Sequence, residues 1–234
     1  MKILALDTST IACSAAVMDA TKLYGELFTD FKLKHSEKLL VMCDSLLNNL
    51  RMDIADIDCF AVSCGPGSFT GIRIGMATAK GFAQAADKPI VCVSSIEALA
   101  YNAFYYSGLI CPMLDAQRDQ LYSGAYTSDG IALNEYIPEN VYEFSQMLDM
   151  INESGKPALL LGDGAKKFYA RCSDKFKNNV IIGQENILMP RASNVARIAL
   201  DKIKDGNIHD CFTAMPNYIR AAQAEENIVK RQNT

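Results

Sequence analysis

The two halves of this sequence repeat one order of apolar runs and turn residues. In the first half, one apolar run ends in Asp7 and a later run ends in Gly65-Pro66-Gly67. The corresponding runs of the second half end in Asp115 and in Gly162-Asp163-Gly164. Short apolar runs that alternate with helical stretches indicate a mixed α/β fold, and their repetition indicates an internal duplication. We therefore expect two similar units in tandem.

Each half is predicted to contain three successive strands followed by helix, strand, helix and strand. The predicted strands span 2–6, 12–18, 22–31, 58–63 and 89–94 in the first half, and 109–114, 121–126, 131–137, 158–161 and 180–183 in the second. The predicted helices span 36–50, 72–86, 96–105, 141–152, a stretch from 165, and 193–204. This order resembles the ribonuclease-H-like module, and two modules in tandem resemble the actin, sugar-kinase and Hsp70 superfamily.

Three segments follow from this order. We predict an N-terminal lobe over residues 1–106 and a C-terminal lobe over residues 107–211. The remaining residues, 212–234, are predicted to form a tail whose last helix returns to the N-terminal lobe.

Composition limits the classes of partner. The chain has 234 residues, half of them hydrophobic, so it can bury a sizeable core. Its formal net charge of −4 argues against the broad basic face of an independent nucleic-acid binder. No apolar run approaches the roughly 20 residues of a membrane helix, and the N-terminus lacks a signal-peptide pattern. We expect a cytoplasmic protein that contacts no membrane.

Cysteine and histidine spacing gives no sign of a metal site. None of the eight cysteines falls in a C-x-x-C pair, and most lie among apolar residues, which predicts reduced, buried thiols. The two histidines, His35 and His209, lack the spacing of a catalytic metal pair. We therefore predict no metal ligands.

The stretch CGPGSFTGIRIG, residues 64–75, lies between a predicted strand and a predicted helix and has two interpretations. It could present backbone N–H groups to a phosphate, although it lacks the lysine of a P-loop. Alternatively, its glycines allow a tight turn and a close approach of neighbouring backbone. The candidate phosphate contacts are Asp7, Thr8, Ser9, Gly65, Gly67 and Ser68.

Two predicted helices of the first half carry apolar residues at helical spacing, and glycine and alanine form a small-residue ridge on the second. These residues could form the core of the lobe. If they share an exposed face instead, they would form a patch for a partner protein. The candidate interface residues are Leu39, Leu40, Cys43, Leu46, Leu47, Ile72, Gly75, Met76, Ala79, Phe82 and Ala83.

Enzymes of related folds are alternative functions for a chain with this order of elements. A nuclease needs several carboxylates around two metal ions, and the central strand ends in Ser63-Cys64, which supplies none. A stand-alone ATPase or small-molecule kinase would use Asp7 or Asp115 to place a metal or a water molecule. Against it, the loop 162–164 is short, and the chain lacks the inserted subdomains with which those enzymes close over their substrates.

Four motifs resemble the bacterial TsaB (YeaZ) family of tRNA threonylcarbamoyladenosine biosynthesis proteins. They are ILALDTST at 3–10, HSEKLL at 35–40, GPGSFTGIR at 65–73 and VSSIEAL at 93–99. Residues 114–118 and 216–225 fit the family more loosely. The specific motifs cover about the first 100 residues, so the resemblance assigns no site residue in the second half.

The resemblance implies a non-catalytic subunit, with no catalytic residues in this chain. The family's paralogue, TsaD, holds a metal between histidines and transfers threonylcarbamoyl to N6 of adenosine 37 in tRNAs that read ANN codons. This sequence has no His-x-x-x-His motif. The resemblance further implies homodimers and a heterodimer with TsaD, both through the first lobe, with the ATPase TsaE joining the assembly and tRNA bound only by the complex. It implies no tightly bound cofactor, with ATP or ADP as candidates at the interface with TsaD.

On this basis we expect residues 65–73 to orient the following helix, which would pack with the helix at 36–50 against the partner.

Overall fold

The first sheet of the structure, a computed structural model that describes residues 1–31 and 35–219, has five strands. They are β1 (Ile3–Asp7), β2 (Cys13–Met18), β3 (Leu23–Thr29), β4 (Cys59–Gly65) and β5 (Ile90–Ser94), arranged in the order β3-β2-β1-β4-β5. The pairs β1–β2 and β2–β3 are antiparallel, whereas β4 is parallel to β1 and β5 is parallel to β4. The three hairpin-linked strands therefore lie on one side of the sheet.

The central strand of this sheet, β1, is buried on both faces, and this burial explains its continuous apolar run. Leu4 and Leu6 of β1 lie in one core cluster with the helices α1 (His35–Leu50) and α2 (Phe69–Ala86). Ile3 and Ala5 face the opposite side and pack against α6 (Ala192–Lys204). A strand covered on both faces has no polar alternation, so a continuous apolar run is expected.

The second sheet repeats the order of the first. Its strands are β6 (Leu109–Asp115), β7 (Gln120–Ser128), β8 (Leu133–Glu143), β9 (Ala158–Leu161) and β10 (Val180–Ile182), arranged in the order β10-β9-β6-β7-β8. The helices α4 (Phe144–Glu153) and α5 (Asp163–Cys172) pack on one face. The predicted fold class, two tandem ribonuclease-H-like lobes, is confirmed.

The short helix α3 (Ser95–Ala100) joins the two lobes. Its residues Ile96 and Leu99 are fully buried and pack in one cluster with Leu161 of the second sheet. Ser94 also donates a hydrogen bond of 2.8 Å to Oε1 of Glu139 on β8. The lobes are thus joined by a packed apolar contact and a side-chain hydrogen bond as well as by the chain itself.

The two largest differences from the predicted bounds lie in β8 and in α3. Strand β8 continues to Glu143, where a helix from 141 was predicted, and α4 begins at Phe144, with Glu143 as its N-cap and Gln146 completing the capping box. Helix α3 ends at Ala100 and is followed by a 3-10 turn (Tyr101–Ala103) instead of continuing to 105. No helix within 1–31 and 35–219 has the length and apolarity to cross a membrane.

Helix α6 was assigned to the C-terminal lobe from its place in the sequence, and the structure corrects this. Its small apolar residues, among them Ala192, Val195 and Ala199, pack on the first sheet. The first two N–H groups of the helix donate hydrogen bonds to side chains of that sheet. Ala192 donates 2.9 Å to Oγ of Ser14, and Ser193 donates 3.0 Å to Oε1 of Glu26.

The segment that follows α6 also lies on the first lobe. Residues 207–219, here called the strap, begin with a β-bridge in which Ile90 and His209 exchange hydrogen bonds of 2.8 Å. Ala214 is fully buried in the first core, and Asn217 N–H donates 2.8 Å to the carbonyl of Cys64. The predicted last helix, beyond Arg220, lies outside the described residues.

We predict that Glu26 determines how firmly α6 is held. Its carboxylate is mostly buried, accepts from the N–H and hydroxyl of Ser193, and pairs with Arg191 at 3.3 Å. Glu26→Ala should lower the free energy of unfolding by about 1–3 kcal/mol, because the donors of Ser193 lose their acceptor. Urea unfolding would measure this loss.

Glu26→Gln is the control, since it keeps an acceptor oxygen and should lose less stability than Glu26→Ala. Equal stability of Glu26→Ala and wild type would show that Glu26 does not hold α6.

Candidate functional site

The glycine loop between β4 and α2 lies directly against the turn that follows β1. A Cβ atom added at Gly67 would lie 2.3 Å from the carbonyl oxygen of Ser9, and one added at Gly71 would lie 2.0 Å from that of Thr8. Both distances are far below van der Waals contact, and both neighbouring atoms belong to the backbone. Glycine is therefore required at these positions by the close approach of two main-chain segments.

Hydrogen bonds join the same two segments. Ser68 N–H donates 2.7 Å to the carbonyl of Ser9, and the hydroxyl of Thr8 donates 2.7 Å to the carbonyl of Gly71. The Ser68 hydroxyl caps α2 by accepting from Gly71 N–H at 3.2 Å. Donors of the kind that a phosphate would use at a helix start are thus bonded inside the protein.

The carboxylate of Asp7 is enclosed beneath this contact. Ser63 donates to its Oδ2, and Ser9 donates to its Oδ1 from the backbone at 3.1 Å and from the hydroxyl at 3.0 Å. Burial raises the pKa of Asp7, while the hydrogen bonds from Ser63 and Ser9 favour the ionised form. The carboxylate is therefore a buried, hydrogen-bonded part of the core.

The structure brings the six candidate phosphate contacts together but buries four of them. The side chains of Asp7, Thr8 and Ser9 are buried, as is Gly65, whereas Gly67 is partly buried and Ser68 is exposed. This arrangement agrees with the second interpretation of the loop, in which its glycines allow a tight turn and a close approach of neighbouring backbone. Phosphate contact stays a prediction, and the enclosed side chains of Asp7, Thr8 and Ser9 are not available for it.

An exposed stack that the sequence analysis missed covers the start of α2. The guanidinium of Arg73 lies 3.8 Å from the centre of the Phe69 ring, and its Nε donates 3.0 Å to the hydroxyl of Tyr218 in the strap. The two rings are 4.8 Å apart. Phe69 and Arg73 were detectable as an i, i+4 pair, but Tyr218 is 145 residues from Arg73.

The predicted interface residues are almost all core residues. Buried in the first lobe are Leu39, Cys43, Leu46, Leu47, Ile72, Gly75, Met76, Ala79 and Ala83, and Phe82 is partly buried. Their apolar faces cover the sheet, as the lobe-core alternative required. Charged residues at Ala79 or Ala83 would therefore disrupt the lobe and would not report on a partner.

The remaining predicted interface residue, Leu40, is on the surface with 54 % of its area exposed, and its neighbour Val41 is 59 % exposed. Ala77 and Gly81 are exposed on α2, which packs beside α1 on the same face of the sheet. A partner surface on these helices would consist of such outward residues. Whether a partner binds there stays a prediction.

The second lobe builds a different arrangement at its corresponding strand end. Asp115 is exposed and lies 3.6 Å from the ammonium of Lys167. Its N–H donates 3.0 Å to Oδ1 of Asp163, whose pKa is raised by burial and by the charge of Asp115. Across residues 1–31 and 35–219, no group of three or more His, Cys, Asp or Glu side chains is arranged to hold a metal ion.

Comparison with known proteins decides the family. A family model described as TsaD, tRNA N6-adenosine threonylcarbamoyltransferase, matches residues 29–228. The tRNA threonylcarbamoyladenosine biosynthesis protein TsaB of Bacillus subtilis is 34 % identical, over 99 % of this chain and 100 % of that protein. The chain belongs to the TsaB family. The TsaB protein of Escherichia coli is 30 % identical, over 94 % of this chain and 95 % of that protein.

Solved structures agree with this TsaB-family assignment. A protein of Pseudomonas aeruginosa, described as uncharacterized with similarity to peptidase YEAZ, superposes with a TM-score of 0.80 at 25 % identity. The match covers 94 % of this chain and 99 % of that one. YeaZ of the same organism gives a TM-score of 0.76 at 24 % identity, over 93 % and 99 % of the two chains. The TsaB-type fold therefore extends through both lobes.

Two glycines of α2 give a matched test of the close approach. Gly71→Ala should lower stability by about 3 kcal/mol or more, because its Cβ would overlap the carbonyl of Thr8. Gly81→Ala meets no neighbouring atom of the described residues within 4 Å and should raise stability by about 0.5–1 kcal/mol through helix propensity. Urea unfolding of the two variants measures both effects. Equal effects of the two substitutions would contradict the role given to Gly71.

The titration of Asp7 gives a second test. Its folded-state pKa is raised above the 3.8 of an ordinary aspartate, so the folded chain holds this proton more tightly than the unfolded chain does. The stability of wild type relative to Asp7→Asn should therefore fall as pH rises from 3.8 through the raised pKa. Urea midpoints of both proteins across pH 4 to 8 would show this; a relative gain for wild type over that range would refute it.

Proposed function

We propose that this TsaB-family chain acts in the formation of threonylcarbamoyladenosine on tRNA as a non-catalytic subunit that pairs with TsaD. The observation that carries the proposal is the enclosed carboxylate of Asp7. In a chain of this fold, the strand-end carboxylate is the side chain best placed to serve a nucleotide or its metal. Here both of its oxygens accept hydrogen bonds from Ser9 and Ser63, and the glycine loop covers it.

The outer faces of α1 and α2 are the surface we assign to TsaD. Large apolar side chains at Leu40 and Val41 are more than half exposed. Gly81 lies in the interior of α2, and no atom that neighbouring elements contribute from residues 1–31 and 35–219 lies within 4 Å of the place where its Cβ would be, so that part of the chain gives no packing reason for glycine. Glycine in a helix interior costs about 1 kcal/mol relative to alanine. A partner helix that approaches closely would supply the missing reason.

The same surface would serve a second copy of the chain. We therefore propose that homodimers and the TsaD heterodimer exclude each other, with TsaE joining the heterodimer and tRNA bound by the assembled complex. ATP or ADP, where one binds, would lie at the shared interface, since the side chains beneath the glycine loop are engaged with one another.

Charged substitutions on the outer faces test the assignment. Val41→Glu and Gly81→Glu should each weaken binding to TsaD at least tenfold, because a charge would be buried without a partner. Ala170→Glu is the matched control, since Ala170 is an exposed alanine on α5 of the second lobe. Binding would be measured by titration calorimetry with purified TsaD, and the oligomeric states by size-exclusion chromatography with light scattering.

Circular dichroism and urea unfolding would confirm that the variants are folded. Folded Val41→Glu and Gly81→Glu variants that bind TsaD as tightly as Ala170→Glu would contradict the assigned surface. A wild-type chain that ignores TsaD and binds magnesium-ATP at micromolar concentration would instead favour the stand-alone kinase or ATPase.

A further inference from the structure

The strap holds large apolar side chains out into solvent although its backbone is fixed on the first lobe. Phe212 is 75 % exposed and Met215 is 70 % exposed. Between them, Ala214 is fully buried in the core, and beyond them Asn217 N–H donates a hydrogen bond to the end of β4. Exposed apolar side chains that lie close together mark sites for a partner. The strap is therefore a candidate contact surface, and it contains none of the interface residues predicted from sequence.

The strap flanks α2 along its length. Helix α1 packs over β2 and β3, and α2 packs mainly over β4. The strap begins at a β-bridge to β5, the edge strand beyond β4. At the C-terminal end of α2, Phe212 and Ala83 line the same pocket, which has a volume of about 470 Å³. At the N-terminal end, the rings of Tyr218 and Phe69 are 4.8 Å apart. Helix α2 therefore lies between α1 and the strap.

Helix α2 forms the floor of an apolar groove between these two neighbours. The exposed residues of its outer face that have small side chains are Ala77, Gly81 and Ala85. On one side of this floor, α1 exposes the larger side chains of Leu40 and Val41. On the other side, the strap exposes Phe212 and Met215. A groove with a floor of small residues between two apolar walls suits an amphipathic helix of a partner.

The strap supplies apolar area that the two helices lack. Within residues 35–50 and 69–86, the large apolar side chains that are exposed are Leu40 and Val41. A specific interface buries about 800 Å² on each partner, and aromatic residues and Met are enriched in it. One aromatic side chain buries about 150–250 Å². Phe212 and Met215 would therefore add a substantial apolar contact to the surface assigned to TsaD.

We propose that the strap is one wall of the TsaD-binding surface, and that a helix of TsaD lies in the groove along α2 and covers Phe212 and Met215. The inference rests on the proposed pairing with TsaD and names a contact that this pairing alone does not require. TsaD is the occupant because the groove is continuous with the outer faces of α1 and α2. A helix fits because the 18 residues of α2 give a floor about 27 Å long, at 1.5 Å per residue, and small residues let a partner helix approach closely.

Substitutions in the wall and the floor test the groove, with the full chain titrated against purified TsaD by calorimetry. Phe212→Ser and Met215→Ser should each weaken binding at least fivefold, because apolar contact is lost. Ala77→Leu should weaken it at least tenfold, because the larger side chain would fill the floor. The matched controls lie in the second lobe, and both should bind like wild type. They are Ile131→Ser, at an exposed apolar side chain, and Ala170→Leu, at an exposed alanine.

The outcomes separate this inference from the surface on which it depends. If Val41→Glu weakens binding to TsaD but both strap variants bind like Ile131→Ser, the strap is not a wall, and the assigned surface still holds. If neither Val41→Glu nor the strap variants weaken binding, the proposed surface itself is wrong as well. An Ala77→Leu variant that binds as tightly as Ala170→Leu would contradict the helix in the groove.

Two further measurements test other occupants of the groove. Light scattering would show whether a strap variant loses the homodimer but keeps its affinity for TsaD, which would assign the strap to a second copy and overturn the proposal. Urea unfolding of the isolated chain should give the same midpoint for Phe212→Ser as for wild type. A lowered midpoint would show that the chain itself covers Phe212 and would also overturn the proposal.

Discussion

The close approach of two main-chain segments, the turn after β1 and the glycine loop before α2, determines much of the first lobe. Thr8 and Ser9 occupy the space that side chains at Gly67 and Gly71 would need, and hydrogen bonds from Ser68 and Thr8 close the contact. With α2 held this near to the strand ends, its apolar face covers the sheet beside α1. The same contact encloses Asp7, so one packing constraint shapes both the core and the candidate site.

The enclosed site supports the proposed non-catalytic role of this chain. A carboxylate that accepts hydrogen bonds from Ser63 and Ser9 inside the core can stabilise the strand end, but it cannot reach a substrate. The first lobe exposes the outer faces of α1 and α2 and the cluster in which Arg73 stacks on Phe69 and donates to the hydroxyl of Tyr218. An assembly role through surfaces of this kind fits a member of the TsaB family.

Much of the fold could be predicted because its signals are local. Buried strands appear in the sequence as apolar runs, and glycine or aspartate follows at the strand ends. The duplication and nearly every helix and strand could therefore be predicted from sequence. The placement of α6 on the first sheet could not be predicted, because the side chains that accept hydrogen bonds from its first N–H groups are far away in the sequence. Ser14 lies 178 residues from Ala192, and Glu26 lies 167 residues from Ser193. The role of the glycine loop could not be decided from sequence either. A bound phosphate and a neighbouring backbone segment both require residues without side chains at these positions. The apolar stripe of α1 was equally ambiguous, since core and interface residues share one spacing.

The measurement that tests the central claim most directly is a titration of this chain into a reconstituted modification reaction. Fixed TsaD and TsaE, supplied with ATP and a threonylcarbamoyl donor, would act on a tRNA that reads ANN codons, with threonylcarbamoyladenosine quantified by mass spectrometry of the digested tRNA. A non-catalytic subunit predicts that the rate rises with added chain and saturates near one chain per TsaD, with no product when TsaD is omitted. Full rate at a small fraction of that ratio, or product from this chain without TsaD, would contradict the account.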